Sequence, residues 1–201
     1  SVGTSVIFAQ SIGANDYNKS QKIVHTAMLT SLIVGIAVSI FGFFMCRPLL
    51  SLMGSPDDVI GQSTLYMKIY FLGMPGFMVY TFGSVIMRSV GDTKRPLFFL
   101  SFSGLVNVIL NLVLVLKFNM GVAGVAVATI VSQYISAIFV LISLIKSDGV
   151  SHLELKDLKI HGKILIKMIK TGLPVAIQSS VFSLSNVIIQ SSINSFGANA
   201  I

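Results

Sequence analysis

Two long apolar runs, 66–87 and 97–116, constrain the fold more than any other feature of the sequence. Neither run contains an acidic residue, and each is as long as the roughly 20 apolar residues that a helix needs to cross a bilayer. The charged stretch between them, 88–96, reads RSVGDTKRP. Its Gly91-Asp92 pair favours a turn, and Pro96 suits the first turn of a helix, where its missing N–H costs little. The pattern predicts two membrane helices joined by a loop at the membrane surface.

The composition agrees with an all-α integral membrane protein. Of the 201 residues, 54% are apolar and 10% are charged, whereas soluble domains carry about 25% charged residues. The apolar runs are continuous and do not alternate with polar residues, which argues against a strand-built barrel. The net charge is +7, and the charged residues fall between the apolar runs. Membrane topology therefore explains the positive charge better than nucleic-acid binding does. The single cysteine, Cys46, excludes an internal disulfide and a cysteine-based metal cluster.

Read in order, the chain predicts the last turns of one helix followed by five complete spans. The first half is predicted to contain a helix end at 1–12, a polar turn at 13–22, a span at 23–46 that Arg47-Pro48 ends, an interfacial loop at 49–58, and a span at 66–87. Within that loop, Ser55-Pro56-Asp57-Asp58 predicts a helix start with acids in its first turn. The second half is predicted to contain a span at 97–116, a turn at 117–121, a span at 122–145, a polar connection at 146–171, and a span from Gly172-Leu173-Pro174 to about Ser195. The sequence begins without a Met or a basic start and ends just past an apolar run. These two features predict an internal fragment of a longer protein.

Pro75 lies inside the span 66–87, within Gly73-Met74-Pro75-Gly76. A proline there frees a backbone carbonyl and predicts a kink. The kink is either a hinge that moves during transport or a packing bend, and the sequence leaves both open.

The connection 146–171 contains a predicted amphipathic basic helix along the membrane surface. Its apolar face would hold Ile160, Ile164, Leu165, Met168 and Ile169, and its basic face Lys159, Lys163, Lys167 and Lys170. Lysines and arginines concentrate in alternate loops: 11 fall in 13–22, 88–96 and 146–171, and three fall elsewhere. Because positive residues mark the inner side of a membrane, these three loops are predicted to be cytoplasmic.

Polar side chains inside the spans are the candidates for chemistry. Asn107 and Asn111 are four residues apart and share a helix face. Thr129 and Ser132-Gln133 follow on the next span, with Thr129 at a depth similar to that of Asn107. Two interpretations stay open: hydrogen bonds between helices, or a polar pocket that forms a cation path. Gln178 and Asn186 belong to a group of polar residues on the last span, which favours a face on water or a partner helix. No ATP-binding glycine loop, metal-ligand spacing or catalytic triad occurs in the sequence, so neither an enzyme nor a resident metal is predicted.

The motifs together resemble the multidrug and toxic compound extrusion (MATE) family. The likeness rests on the stretch from Arg88 through Gly91, Asp92 and Pro96, on Asn107-x-x-x-Asn111, on the segment from Met120 to Gln133, and on the two ends of the chain. The resemblance implies a transporter of twelve helices in two bundles, of which this chain would be mostly the N-terminal six-helix bundle. It assigns 1–145 to that bundle, 146–171 to a cytoplasmic linker, and 172–201 to the first helix of the C-terminal bundle.

The resemblance implies a function as well: a plasma-membrane exporter of amphipathic organic cations, working by alternating access in exchange for H⁺ or Na⁺. Asn107, Asn111 and Thr129 match positions of a cation-linked cluster in some members, but Asn111 stands where those members carry Asp. An amide can ligate Na⁺ but cannot release a proton at physiological pH, so the coupling carboxylate is expected outside this chain. A monomer without a cofactor other than its coupling ion is expected. A lipid-linked saccharide flippase of the same superfamily and a non-transport structural membrane subunit are the alternatives.

Overall fold

The computed structural model describes residues 1–52 and 57–195, and all regular structure in these residues is helical. The seven α-helices are α1 (Val2–Gly13), α2 (Tyr17–Leu52), α3 (Asp57–Leu72), α4 (Met74–Ser89), α5 (Lys94–Leu112), α6 (Gly121–Ile145) and α7 (Gly162–Ser195). A π-helical turn, Val113–Lys117, follows α5, and a short 3₁₀ turn, Leu155–Asp157, lies in the connection between α6 and α7.

The predicted number of spans is confirmed. Within the described part of the chain, four helices are long and apolar enough to cross a membrane. The pair α3–α4 makes a fifth when it is counted as one span bent by 45°. The apolar helix α1 is shorter, as expected for the last turns of a helix.

Two predicted boundaries of α2 are wrong. The helix begins at Tyr17, because Asp16 Oδ1 accepts a hydrogen bond of 3.0 Å from the Lys19 N–H and so caps the first turn. The helix also continues through Pro48 to Leu52, since a proline removes one backbone hydrogen bond but does not by itself end a membrane helix. Residues 49–52 of the predicted loop 49–58 are helical. The predicted helix start at 55–58 is confirmed in its described part, since Asp57 and Asp58 lie in the first turn of α3, and residues 55 and 56 lie outside the described residues.

The end of the chain also differs from the prediction. A single helix, α7, begins at Gly162 and passes through Pro174 without interruption, so the expected surface helix and the expected last span are continuous. The predicted amphipathy holds in part: Met168 is buried and Lys163 is exposed, but Ile169 is 55% exposed. Ile160 lies before the helix begins.

The core lies at one end of the bundle, where α1, α2, α4 and α6 meet the connection to α7. Its members include Phe8, Ile23, Ile86, Leu144 and Leu153, each at most 2% exposed. Elsewhere large apolar side chains point outward, with Phe44, Leu116 and Phe98 each more than 60% exposed. Such surfaces suit lipid rather than water.

Glycines allow the helices of the bundle to approach one another closely, as Gly35 and Gly83 show. At Gly35 on α2, a Cβ atom would lie 2.7 Å from the Cα of Pro75 on α4. At Gly83 on α4, a Cβ would collide with the side chain of Val140 on α6. Small residues therefore set the spacing of α2, α4 and α6, as is common in membrane bundles, and α5 packs mainly against α6.

Candidate functional site: a polar cluster between α5 and α6 beside a broken helix

Asn107 and Asn111 on α5 form a hydrogen-bonded cluster with α6. The Nδ2 of Asn107 donates to the Oγ of Ser132 at 3.3 Å and to the Oγ1 of Thr129 at 3.5 Å. The Nδ2 of Asn111 donates to the Oδ1 of Asn107 at 3.0 Å. The predicted shared face of the two asparagines and their proximity to Thr129 are confirmed, and Ser132 completes the set.

The cluster presents oxygen atoms. Both hydroxyls donate their own protons to helix carbonyls, Thr129 to Val125 at 2.9 Å and Ser132 to Thr129 at 2.8 Å, so their lone pairs are left to face Asn107. The Oδ1 of Asn111 is buried and accepts no hydrogen bond from the described residues. Such an acceptor costs about 1–3 kcal/mol when nothing satisfies it, and amide and hydroxyl oxygens are natural ligands for a hard cation.

A π-helical turn, Val113–Lys117, begins two residues after Asn111. Its wider winding shows in the hydrogen bond of 3.2 Å from the Phe118 N–H to the Val113 carbonyl. Turns of this kind occur often at functional sites. Sequence reasoning missed it, because the apolar letters VLVLK carry no signal that separates π from α winding.

The predicted kink in the span 66–87 is confirmed, and its bend falls at Gly73. The helices α3 and α4 meet there at 45°, and Pro75 occupies the first turn of α4. Beside the break, a Cβ at Gly73 would collide with the Oε1 of Gln133 on α6. That Oε1 is buried and accepts no hydrogen bond from the described residues, so Gln133 faces the break rather than the asparagine cluster.

The remaining predicted path residues are not brought to this cluster. Gln178 and Asn186 are exposed on α7, a helix that packs against α1 and, to a smaller extent, α2. Their assignment to a cation or substrate path stays a prediction.

The predicted loop 88–96 forms a tight turn only at 90–93, because α4 continues to Ser89 and α5 begins at Lys94, which puts Pro96 in the first turn of α5. Gly91 has a φ of +87°, a conformation that only glycine adopts freely. The carboxylate of Asp92 accepts from the Arg95 backbone N–H at 3.2 Å and lies 3.4 Å from the Arg95 Nε. Pro96 is buried, and its carbonyl accepts a hydrogen bond of 3.1 Å from the Tyr80 hydroxyl. The exposed Arg88 donates through Nη2 to the Ser84 Oγ at 3.4 Å.

Comparison with known proteins agrees with this architecture. Residues 1–113, which include both asparagines of the cluster, match the family described as MatE. The chain belongs to the MATE family. Among curated relatives, the probable multidrug resistance proteins YoeA and YpnP of Bacillus subtilis are 28% and 31% identical over 98% of this chain. The multidrug export protein MepA of Staphylococcus saprophyticus is 22% identical over 100% of it. The chain spans 44% of the length of each of these MATE relatives.

Solved MATE structures have the same fold. A MATE crystal structure in a bent conformation matches 99% of the chain with a TM-score of 0.91 and 25% identity, and the chain covers 45% of it. An inward-facing MATE transporter matches 86% of the chain at a TM-score of 0.79 and 26% identity, with 40% of that structure covered. The chain is therefore a multi-pass protein of the plasma membrane, equivalent to somewhat less than half of a MATE transporter and mostly to its N-terminal bundle.

Proposed function

We propose that the chain is part of a secondary active multidrug exporter. In this proposal, amphipathic organic cations leave the cell in exchange for H⁺ or Na⁺, by alternating access around a cavity between two bundles. The names of the relatives support multidrug export, since YoeA, YpnP and MepA are described as multidrug resistance or export proteins. Solved relatives described as inward-facing and as outward-facing support alternating access.

The observation that carries the proposal is the oxygen cluster between α5 and α6. Hydrogen bonds among Asn107, Asn111 and Thr129 join two membrane helices. The Asn111 Oδ1 accepts no hydrogen bond from the described residues. A cation that enters the cluster would satisfy this oxygen. We propose that these three side chains supply cation ligands and that their occupancy biases the packing of α5 on α6.

The amide at position 111 favours Na⁺ over H⁺ at this cluster. An amide oxygen can coordinate a metal ion but does not carry a titrating proton near neutral pH. Neither α5 nor α6 contains an acidic residue, so proton coupling would need a carboxylate on another helix. The transporter is proposed to act as a monomer with no cofactor besides its coupling ion.

The flippase alternative requires a cationic cavity for a lipid-linked pyrophosphate. Lys68 is the only basic residue of the apolar runs 66–87 and 97–116. Its Nζ lies 5.2 Å from the ring centroid of Phe43, where a cation–π interaction holds it against α2. This placement favours a structural role for Lys68 and supports the exporter over the flippase.

Reconstitution tests the proposal. The protein at its native length is placed in liposomes, and ethidium transport is followed under an imposed Na⁺ gradient or an imposed pH gradient. Transport driven by either gradient supports the exporter, and the driving gradient names the ion. Absence of ethidium movement under both gradients would overturn the proposal in favour of a structural subunit or another substrate class.

A matched pair of variants tests the cluster itself. Asn107→Ala removes the donor to Thr129 and Ser132, and transport is expected to fall at least tenfold. Ser103→Ala is the control, because Ser103 lies on the same helix and its hydroxyl donates only to the Leu100 carbonyl of that helix, at 3.0 Å. If both variants transport ethidium equally well, the cluster has a packing role and no role in transport.

A further inference from the structure

A pocket of about 360 Å³ lies outside the proposed transport path, where the start of α2 meets the connection between α6 and α7. Its charged and imidazole-bearing lining residues are Lys22, His25, Lys156, Asp157, Lys159 and His161. Its volume falls in the range typical of small-molecule sites. The segments 13–22 and 146–171 that frame it are the ones predicted to be cytoplasmic, so we expect the pocket at the level of the inner headgroups.

Hydrogen bonds to α2 hold the wall of the pocket in place. His25 is 7% exposed, and its Nε2 accepts a hydrogen bond of 3.2 Å from the backbone N–H of Glu154. The Thr26 Oγ1 accepts from the backbone N–H of His161 at 3.2 Å and lies 3.3 Å from its Nδ1. The connection is therefore fixed at both sides of the segment that carries Lys156 and Lys159, and the pocket is formed without a ligand.

The charges in the pocket are predominantly positive and unneutralised. Three lysines face one carboxylate, that of Asp157. Within residues 1–52 and 57–195, the ion pair that lies within 4 Å is Arg95–Asp92, which is elsewhere. Lys22, Lys156 and Lys159 thus have no carboxylate at ion-pair distance among the described residues. Two imidazoles and the side chains of Asn18 and Gln21 add neutral hydrogen-bonding groups.

We propose that this pocket binds a phosphate-bearing anion. Lysine is a common phosphate ligand, since its compact ammonium group donates up to three hydrogen bonds. Such an anion has two sources at this depth: the headgroup of an anionic phospholipid in the inner leaflet, which attracts clustered lysines, or free phosphate from the cytoplasm. The exported organic cations are excluded by the sign of the charge, so the site is distinct from the transport path.

Binding is tested on purified protein of native length, with no transport step. The probes are short-chain phosphatidylglycerol, inorganic phosphate and, as a zwitterionic control, short-chain phosphatidylcholine. The pocket variant is Lys156→Gln with Lys159→Gln. The charge-matched control is Lys163→Gln with Lys167→Gln, which removes two exposed lysines of α7 that do not line the pocket. Each pocket lysine is expected to contribute about fivefold to affinity, so the pocket variant should bind roughly 25-fold more weakly.

The outcomes separate the two sources and can overturn the site. Phosphatidylglycerol binding that is lost in the pocket variant and is not displaced by inorganic phosphate identifies a lipid site. Phosphate binding with the same dependence identifies a site for the free anion. Asp157→Asn should tighten either one, because it removes the opposing charge. Equal weakening in the pocket and control variants, or failure of both anions to bind, would overturn the proposal. Because ethidium export is measured separately, neither result depends on the transport proposal.

Discussion

The hydroxyl of Tyr134 on α6 donates a hydrogen bond of 2.9 Å to the carbonyl of Leu72, the last residue of α3. Helix ends leave backbone carbonyls without intrahelical partners, and in a membrane such groups need another donor. The Tyr134 hydroxyl therefore offsets part of the free energy that the break in the helix loses through its unpaired carbonyl. The relationship couples the bend between α3 and α4 to the helix that carries Thr129 and Ser132.

Tyr134→Phe tests this coupling. The change removes the donor to the Leu72 carbonyl and should lower the free energy of unfolding by about 0.6–1 kcal/mol, the usual contribution of such a bond. Thermal unfolding of the native-length protein in detergent provides the measurement. Tyr17→Phe is the control, since Tyr17 is 64% exposed at the start of α2. Equal melting temperatures for the two variants would show that the hydroxyl does not stabilise the break.

Gly35 is expected to be intolerant of even one added methyl group. In Gly35→Ala the new Cβ would lie 2.7 Å from the Cα of Pro75, and backbone cannot move aside as a flexible side chain can. Overpacking of this kind costs about 1–3 kcal/mol. A lower melting temperature and a lower yield of folded protein are the expected results.

Gly104→Ala is the matched control for that change. Gly104 lies inside α5, and a Cβ added there would have no neighbour within 4 Å. Alanine in place of glycine inside a helix is favourable by about 0.5–1 kcal/mol, so this variant should be as stable as the parent or more stable. Destabilisation of both variants to the same extent would contradict the assigned contact between α2 and α4.

The sequence predicted the spans well, because an apolar run as long as the bilayer is thick, such as 97–116, indicates a membrane helix directly. It also predicted the meeting of Asn107, Asn111 and Thr129, since a short turn at 117–121 makes α5 and α6 antiparallel neighbours. Boundaries were less predictable. The sequence favours helix boundaries at Pro48 and Pro174, yet both prolines lie inside helices.

Other features of the site depend on contacts between helices that are distant in sequence. The Gln133 amide beside Gly73 and the Tyr134 bond to Leu72 join segments about 60 residues apart. Spacing within one helix cannot reveal such pairs, because it does not specify which neighbour a helix face meets. The π-helical turn Val113–Lys117 was missed for a different reason, since apolar residues suit both windings equally.

Gly91 should be required for the tight turn between α4 and α5. Its φ of +87° strains any residue with a Cβ, so Gly91→Ala should cost on the order of 1 kcal/mol. The expected result is a lower melting temperature together with faster proteolysis of the loop. Gly13→Ala provides the comparison, because a Cβ added at Gly13 would meet nothing within 4 Å and the φ of Gly13 is not positive. Equal stability of the two variants would argue against a strained turn.

Asn111→Leu should separate stability from ion binding. The change replaces a buried amide, whose Oδ1 accepts no hydrogen bond from the described residues, with an apolar side chain of similar size. Removal of such an acceptor offsets the lost donor to Asn107, so without Na⁺ the variant should unfold within about 1 kcal/mol of the parent.

Sodium should then distinguish the two proteins. A ligand at ten times its Kd stabilises the folded state by about 1.4 kcal/mol, so Na⁺ in place of choline should raise the melting temperature of the parent. The same exchange should leave Asn111→Leu unchanged, because the leucine offers no oxygen ligand. Ser103→Ala on the same helix should respond to Na⁺ as the parent does. An equal sodium-dependent shift in Asn111→Leu would place the ion elsewhere and remove Asn111 from the cation site.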